Sequence, residues 1–222
     1  MQQQVQNRRQ QMNRALRWAS TLFLGFLIVS QQVLTNGPLA SYDNEINSQS
    51  KPQFSGLAGF ILRRLDDLGL RGLTAAVLLV SAAFIAYRFK TWRPLNLAVL
   101  SLLALNLVVG VFKLFLGRTK PRDGIDLIHA GGMSYPSGHA SNAVLSWGIL
   151  AYLIYRYAKL DRYQGRLATA GVITISLTIC IVSLIRHTHW FTDLLGGLFV
   201  GSALLVAVIA LDRYVPSKSQ LH

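Results

Sequence analysis

The sequence predicts an all-α integral membrane protein, a bundle of six transmembrane helices with both termini in the cytoplasm. Three observations carry that expectation. Of 222 residues, 52% are hydrophobic and only 14% are charged, whereas a water-soluble domain carries roughly 25% charged residues. The apolar residues gather into runs of around 20, the length a helix needs to cross a hydrocarbon core of about 30 Å. The basic residues, 22 against 9 acids, are shared unevenly between the two ends of those runs. Low hydrophobicity is the condition for disorder, and it is not met. The single Cys180 excludes an intramolecular disulfide framework.

The spans read in order as 15–34, 73–86, 95–116, 139–155, 167–185 and 192–211, the second being short unless Leu70, Gly72 and Tyr87 join it. Runs such as LAVLSLLALNLVVGVF are apolar on every side, which for a helix means lipid or a bundle centre. Basic residues precede the first span, follow the second, follow the fourth and follow the sixth (Arg213 and Lys218), thirteen on that side. The other side holds nine, among them Lys51, with seven of the nine acids. The positive-inside rule then places the richer side, including the basic segment 1–14, in the cytoplasm. A basic total of this size also suits a nucleic-acid binder, but topology accounts for it and no nucleic acid is needed. The arginines, apolar run and Gly37-Pro38-Leu39-Ala40 at the start also match a cleaved signal peptide. Residues 35–69 form the long outer loop, polar at first and then amphipathic, with Phe54, Leu57, Phe60, Ile61, Leu65 and Leu68 near helical spacing. That part reads as a helix on the membrane surface or capping the bundle. The whole chain, 1–222, is one membrane domain with no internal repeat.

Ionisable residues at span ends are informative because each costs free energy in or near hydrocarbon. They form three clusters within 113–193. The first is Lys113-Leu-Phe-Leu-Gly-Arg118-Thr-Lys120-Pro121-Arg122, ending the third span. The second, Tyr135-Pro136-Ser137-Gly138-His139, enters the fourth, and the third, Arg186-His187-Thr188-His189-Trp190-Phe191-Thr192-Asp193, joins the fifth to the sixth. All three fall on the outer side, which points to one shared site.

Lys113, Arg118, Lys120, Arg122 and Arg186 supply the convergent cations that a phosphate requires. Ser137 and Gly138 stand just before a helix, where free N–H groups and the helix dipole receive an anion. Of His139 and His189, one imidazole can attack phosphorus while the other protonates the leaving oxygen. Asp193, one helical turn after His189, can accept the Nδ1 proton and fix the tautomer. Each piece also has a plainer reading: cations at span ends anchor to headgroups, Pro-Ser-Gly starts many helices, and His129 and His187 read as hydrogen-bonded bystanders. A metal site on His187-x-His189 is disfavoured, since on a helix the two point about 200° apart and no Cys or Glu is near to complete a tetrahedral set. The joint occurrence of three clusters in one orientation favours phosphate.

These residues resemble the type 2 phosphatidic acid phosphatase family, whose motifs are Lys-x6-Arg-Pro, Pro-Ser-Gly-His and Ser-Arg-x5-His-x3-Asp. The match runs from Lys113 to Asp193. Pro136-Ser137-Gly138-His139 and His189-x3-Asp193 agree in full. In the first motif Lys120-Pro121 stands for Arg-Pro, losing the bidentate fork that Arg118 or Arg122 would then supply. In the third, the Ser-Arg pair falls on Val182 and Ser183, and the nearby arginine is Arg186. Ser183 and Arg186 differ by about 60° in direction and about 4.5 Å in height on a helix, which a long side chain spans.

The resemblance implies that His189 forms a phospho-histidine, Asp193 orients it, and His139 is the acid for the leaving group. It implies that Lys113, Lys120, Ser137, Gly138 and Arg186 hold the phosphoryl oxygens, and that no metal or other cofactor takes part. The expected partners are the bilayer and a lipid phosphate, hydrolysed at the outer face of the cytoplasmic membrane. A polyprenyl diphosphate is the first expectation; phosphatidylglycerol phosphate or phosphatidic acid, and transfer of a phosphorylated headgroup between lipids, are the alternatives. A transporter is disfavoured because the span centres are apolar and the ionisable residues crowd one end.

Overall fold

The computed structural model describes residues 2–49, 52 and 54–214, and its regular structure is helical. Lys51 and Lys218 lie outside the described residues. Helix α1 (Gln2–Leu34) is followed by α2 (Pro38–Ser48), and the axis turns by 71° between them. Asn36 in the left-handed region and Pro38 in the first turn of α2 make the break. Then come α3 (Gly56–Asp67), α4 (Arg71–Arg88) and α5 (Arg93–Leu116). After a loop with one 3-10 turn (Pro121–Asp123), α6 (Gly138–Asn142) runs through a π-helical stretch (Ala143–Trp147) into α7 (Gly148–Tyr157). Helices α8 (Arg162–Ile185) and α9 (Phe191–Tyr214) complete the bundle.

Four helices, α4, α5, α8 and α9, are each long and apolar enough to cross a membrane, and the bent pair α1/α2 makes a fifth candidate. The expected ends of spans one, three and five coincide with those of α1, α5 and α8 at Leu34, Leu116 and Ile185. Alternation by helical turn sends Leu103, Leu107, Val111 and Leu114 of α5 outward, and likewise Ile173, Leu177 and Ile181 of α8. These outward stripes suit hydrocarbon, while the helix contacts carry small and hydroxylated residues, as membrane bundles require. Ser30, Ser101 and Ser176 each donate to the carbonyl four residues back at 2.6–2.8 Å, which satisfies a hydroxyl where no water is available.

Helix α9 is the hub, packed by α1 along its length and by α5, α6, α7 and α8. Its glycines permit this. A Cβ at Gly197 would lie 2.6 Å from the Ser137 carbonyl oxygen, so only glycine lets the start of α6 press so closely onto α9. Helix α1 packs into the bundle: Phe26, Val29 and Val33 are buried in the core, and Ser30 Oγ shares a 2.8 Å hydrogen bond with Tyr135 Oη. At the end of the bundle away from the three clusters, the Asp212 carboxylate receives Arg93 Nε at 2.6 Å, Tyr152 Oη at 2.6 Å and Arg156, tying α5, α7 and α9 together.

The segment 35–69, expected as an outer loop, departs from expectation in its first half. The polar stretch read as loop is helix α2, and its Asp43 is turned inward, 1% exposed. The second half is the expected amphipathic helix, α3, with Leu57, Phe60 and Ile61 exposed and its end fastened to α8.

Candidate active site

Asp193 is the third residue of α9, where a carboxylate meets the free N–H groups and positive end of a helix. Its Oδ2 accepts from the Trp190 amide at 3.0 Å, from the Ser134 hydroxyl, and from His189 Nδ1 at 3.3 Å. Its Oδ1 accepts from Arg118 Nη1 at 2.8 Å. Oδ2 thus gathers three donors and Oδ1 one, a set that suits an ionised carboxylate. The fully buried Asp193 is therefore held as an anion in one orientation. Because a carboxylate only accepts, Nδ1 of His189 carries the hydrogen in this contact, and Nε2 is the ring nitrogen directed away from Asp193.

His139 enters from α6. Its ring centroid is 6.0 Å from that of His189, with the planes inclined by 59°. The two imidazoles are therefore neighbours lining one cavity. Ser137 caps α6 by accepting the Ala140 amide on Oγ, and its own amide donates to the Asp193 carbonyl at 2.9 Å. Ser137 thereby locks the start of α6 to α9. The amides of Gly138 and His139, the first two of the helix, remain without intrahelical acceptors, which makes them anion donors. Beside Gly138 lies the Lys113 side chain, whose Cε is the nearest atom a Cβ there would meet, at 4.0 Å. Lys113 also donates to the Met133 carbonyl. A cavity of about 290 Å³ joins Lys113, Lys120, Gly138, His139 and His189.

Residues 94–216, more than half of the chain, match the PAP2 superfamily. The chain belongs to this superfamily. It is 29% identical over 198 residues to phosphatidylglycerophosphatase B of Bacillus subtilis (strain 168), covering 88% of this chain and 95% of that one. The fold is that of a crystal structure described as the first transmembrane PAP2 type phosphatidylglycerolphosphate phosphatase from Bacillus subtilis, with a TM-score of 0.79, 24% identity, and coverage of 90% of this chain and 98% of that one. This PAP2 chain is a multi-pass membrane protein.

Within the PAP2 site, the arginines do not fall where the motif spacing suggests. Arg118 is 0% exposed and spends its donors on protein: Nε and Nη2 on Asp126, Nη1 on Thr192 and Asp193, and Nη2 on Asp43 at 2.7 Å. All five N–H groups are taken, so Arg118 has none for a phosphate. In this structure Arg118, expected among the phosphate-binding cations, is instead bonded to Asp193 and is not among the residues lining the cavity. Arg122 is exposed on the 3-10 turn and does not line the cavity. Arg186 pairs with Asp66 at the end of α3, which also accepts from Ser183 Oγ at 3.1 Å, and it lines a neighbouring cavity with Phe54, Leu62 and Arg63. His187 turns to Asn47 at 2.7 Å, away from His189, and His129 packs edge-on against Phe115.

Sequence reasoning missed several residues. Asp43, besides holding Arg118, accepts the Thr192 amide at 2.8 Å and its hydroxyl at 2.5 Å, so α2 clamps the first turn of α9. Arg71, the first residue of α4, lines the cavity as a third cation, although its sequence position resembles any span-end anchor. Gly69, just before it, lets the α3–α4 turn approach His139, whose carbonyl oxygen lies 2.9 Å from where a Cβ would stand. Tyr135 is fully buried, stacked 6.1 Å from Phe26, and burial pushes its phenol above the ordinary tyrosine value, so it serves as a neutral brace.

Proposed function

We propose that this protein is a membrane lipid phosphatase that hydrolyses phosphatidylglycerol phosphate or a closely related glycerolipid monophosphate. The observation that carries the reading is the Asp193–His189 pair facing His139 across a cavity that Lys113 and Lys120 also line. The names of the relatives, phosphatidylglycerophosphatase B and a phosphatidylglycerolphosphate phosphatase, favour that substrate over a polyprenyl diphosphate, which no comparison supports.

In this mechanism Nε2 of His189 forms a bond to phosphorus as the bond from phosphorus to the leaving alcohol breaks. His139 gives its proton to the departing oxygen, and Asp193 stabilises the positive charge that develops on His189. Lys113, Lys120 and the amides of Gly138 and His139 hold the three remaining oxygens, whose charge they meet without reorganising. Water then attacks the phospho-histidine, giving up a proton to His139 as the nitrogen–phosphorus bond breaks, and inorganic phosphate leaves. Both half-reactions balance without a metal.

In the membrane, α1, α4, α5, residues 138–157, α8 and α9 are the six spans, with both termini cytoplasmic and the cavity on the outer side, a reading supported by the asymmetry of basic residues. The π-helical stretch leaves 138–157 continuous at 20 residues, enough for a hydrocarbon core.

The test is phosphate release by purified protein in detergent from phosphatidylglycerol phosphate, phosphatidic acid and a polyprenyl diphosphate. Turnover of the glycerolipids that persists in excess EDTA is expected; loss of activity with EDTA, restored by Zn²⁺ or Mg²⁺, would refute the metal-free mechanism. The rate is expected to be bell-shaped in pH, because His189 must be neutral to attack and His139 protonated to donate. A profile flat from about pH 5 to about pH 9 would dismiss the two-histidine mechanism.

A further inference from the structure

We propose that the slot between α5 and α6 is a binding subsite for the oxygen-bearing glycerol portion of the substrate, held by the carboxamides of Asn142 and Asn106. This rests on the lipid phosphatase reading and goes beyond it by saying which part of the lipid is recognised. The cavity that contains the histidines does not end at them. Its wall on α5 is made by Leu105, Asn106, Val109, Gly110 and Lys113, positions that share one helix face and extend about 12 Å along the axis. Lys113 stands at the end with the histidines, and Asn106 lies about two turns farther into the bundle.

The two serine hydroxyls at the start of α6 are satisfied. Ser137 Oγ caps α6 and Ser141 Oγ donates to the Gly138 carbonyl at 3.2 Å. Asn142 is 5% exposed and lines the cavity, yet its carboxamide has no partner among the described residues and does not cap the π-helical stretch that begins at the next residue. Asn106, half-buried on the facing helix, is also without a side-chain hydrogen bond among the described residues. Each carboxamide offers two donors and two acceptor sites. A residue as buried as Asn142 ordinarily has its polar group paired, so its unpaired carboxamide, with that of Asn106 across the same slot, points to a ligand with hydroxyl or ester oxygens. Gly110 leaves room for it, since a Cβ there would meet nothing within 4 Å.

With the reacting phosphoryl group at Lys113, His139 and His189, the atoms next to it lie along this slot. In a glycerolipid monophosphate those atoms are a glycerol unit with hydroxyl or ester oxygens. In a polyprenyl diphosphate they are a second phosphate followed by hydrocarbon, which would leave the carboxamides unpaired. Sites built to hydrogen-bond a substrate discriminate strongly against an analogue that lacks the group. The slot therefore selects glycerolipids by the alcohol that leaves rather than by the phosphate that is transferred.

The test compares wild type with Asn142→Leu, which keeps the side-chain volume and removes its hydrogen bonds, and with Gly110→Leu, which fills the slot from the other wall with a good helix former. Two quantities are read: kcat/KM for phosphatidylglycerol phosphate, and inhibition by orthovanadate, which occupies the phosphoryl pocket alone. Both variants are expected to lose about 10- to 100-fold in kcat/KM while the vanadate inhibition constant stays within about twofold. Wild-type turnover in both variants would overturn the subsite. Parallel loss of turnover and vanadate inhibition would overturn it too, by placing Asn142 in the phosphoryl pocket. A wild-type protein inert toward every lipid phosphate would refute the phosphatase reading itself, and the subsite with it.

Discussion

His189→Ala is expected to reduce phosphate release by roughly 10³-fold or more, with the fold retained. The size follows from what the side chain does in the proposed reaction: without Nε2 there is no phospho-enzyme, and water must attack phosphorus directly in a site shaped for an imidazole. Stability should change little, because Asp193 keeps its hydrogen bonds from Arg118, Ser134 and the Trp190 amide when His189 is gone. His139→Ala is expected to be milder, about 10²- to 10⁴-fold, and its deficit should shrink on substrates whose leaving group departs without protonation. Rapid quenching during turnover separates the roles. Wild type and His139→Ala should carry acid-labile phosphate on the protein, and His189→Ala none. Labelled phosphate on His189→Ala, or activity within tenfold of wild type, would exclude His189 as the nucleophile.

What was legible in the sequence and what was not divide along a physical line. The ends of α1, α5 and α8 could be read because the change from apolar to polar residues is local. The proximity of His189 to Asp193 could be read because it depends on spacing within one turn. Helix α2 could not, because its sequence, PLASYDNEINS, is polar and its reason for being ordered is remote: Asp43 bonds to Arg118, 75 residues away, and to Thr192, 149 away. The surroundings of Arg118 were hidden for the same reason. A cation between two phosphate-motif lysines looks like a third ligand until the three carboxylates around it are seen. Arg71 and Asn142 were invisible as site residues because one resembles a headgroup anchor and the other an ordinary helix residue. Only the meeting of α4, α5 and α6 around one cavity gives them a role.

Arg118→Met is expected to be strongly destabilising, because it removes the one cation that Asp43, Asp126 and Asp193 share. Breaking a buried ion network from one side costs about 3–5 kcal/mol, since the remaining carboxylates are left uncompensated. Arg118→Lys keeps the charge, but an ammonium has three donors and no planar fork. It cannot reproduce the two-point contact with Asp126 while also reaching Asp43, Thr192 and Asp193. The lysine variant is therefore expected to fold with a lowered melting midpoint and a reduced kcat, because Asp193 loses its fixed orientation. Its orthovanadate inhibition should match wild type, since Arg118 has no donor facing the phosphoryl pocket. Weakened vanadate binding in a folded lysine variant would show instead that Arg118 contacts phosphate. A second change checks the energetics independently. Asp43→Asn in the Arg118→Met background deletes one of the stranded charges, so it should recover part of the lost midpoint, whereas Asp43→Asn alone should lower it. That reversal of sign is what a shared buried network requires, and simple addition of the two effects would rule the network out.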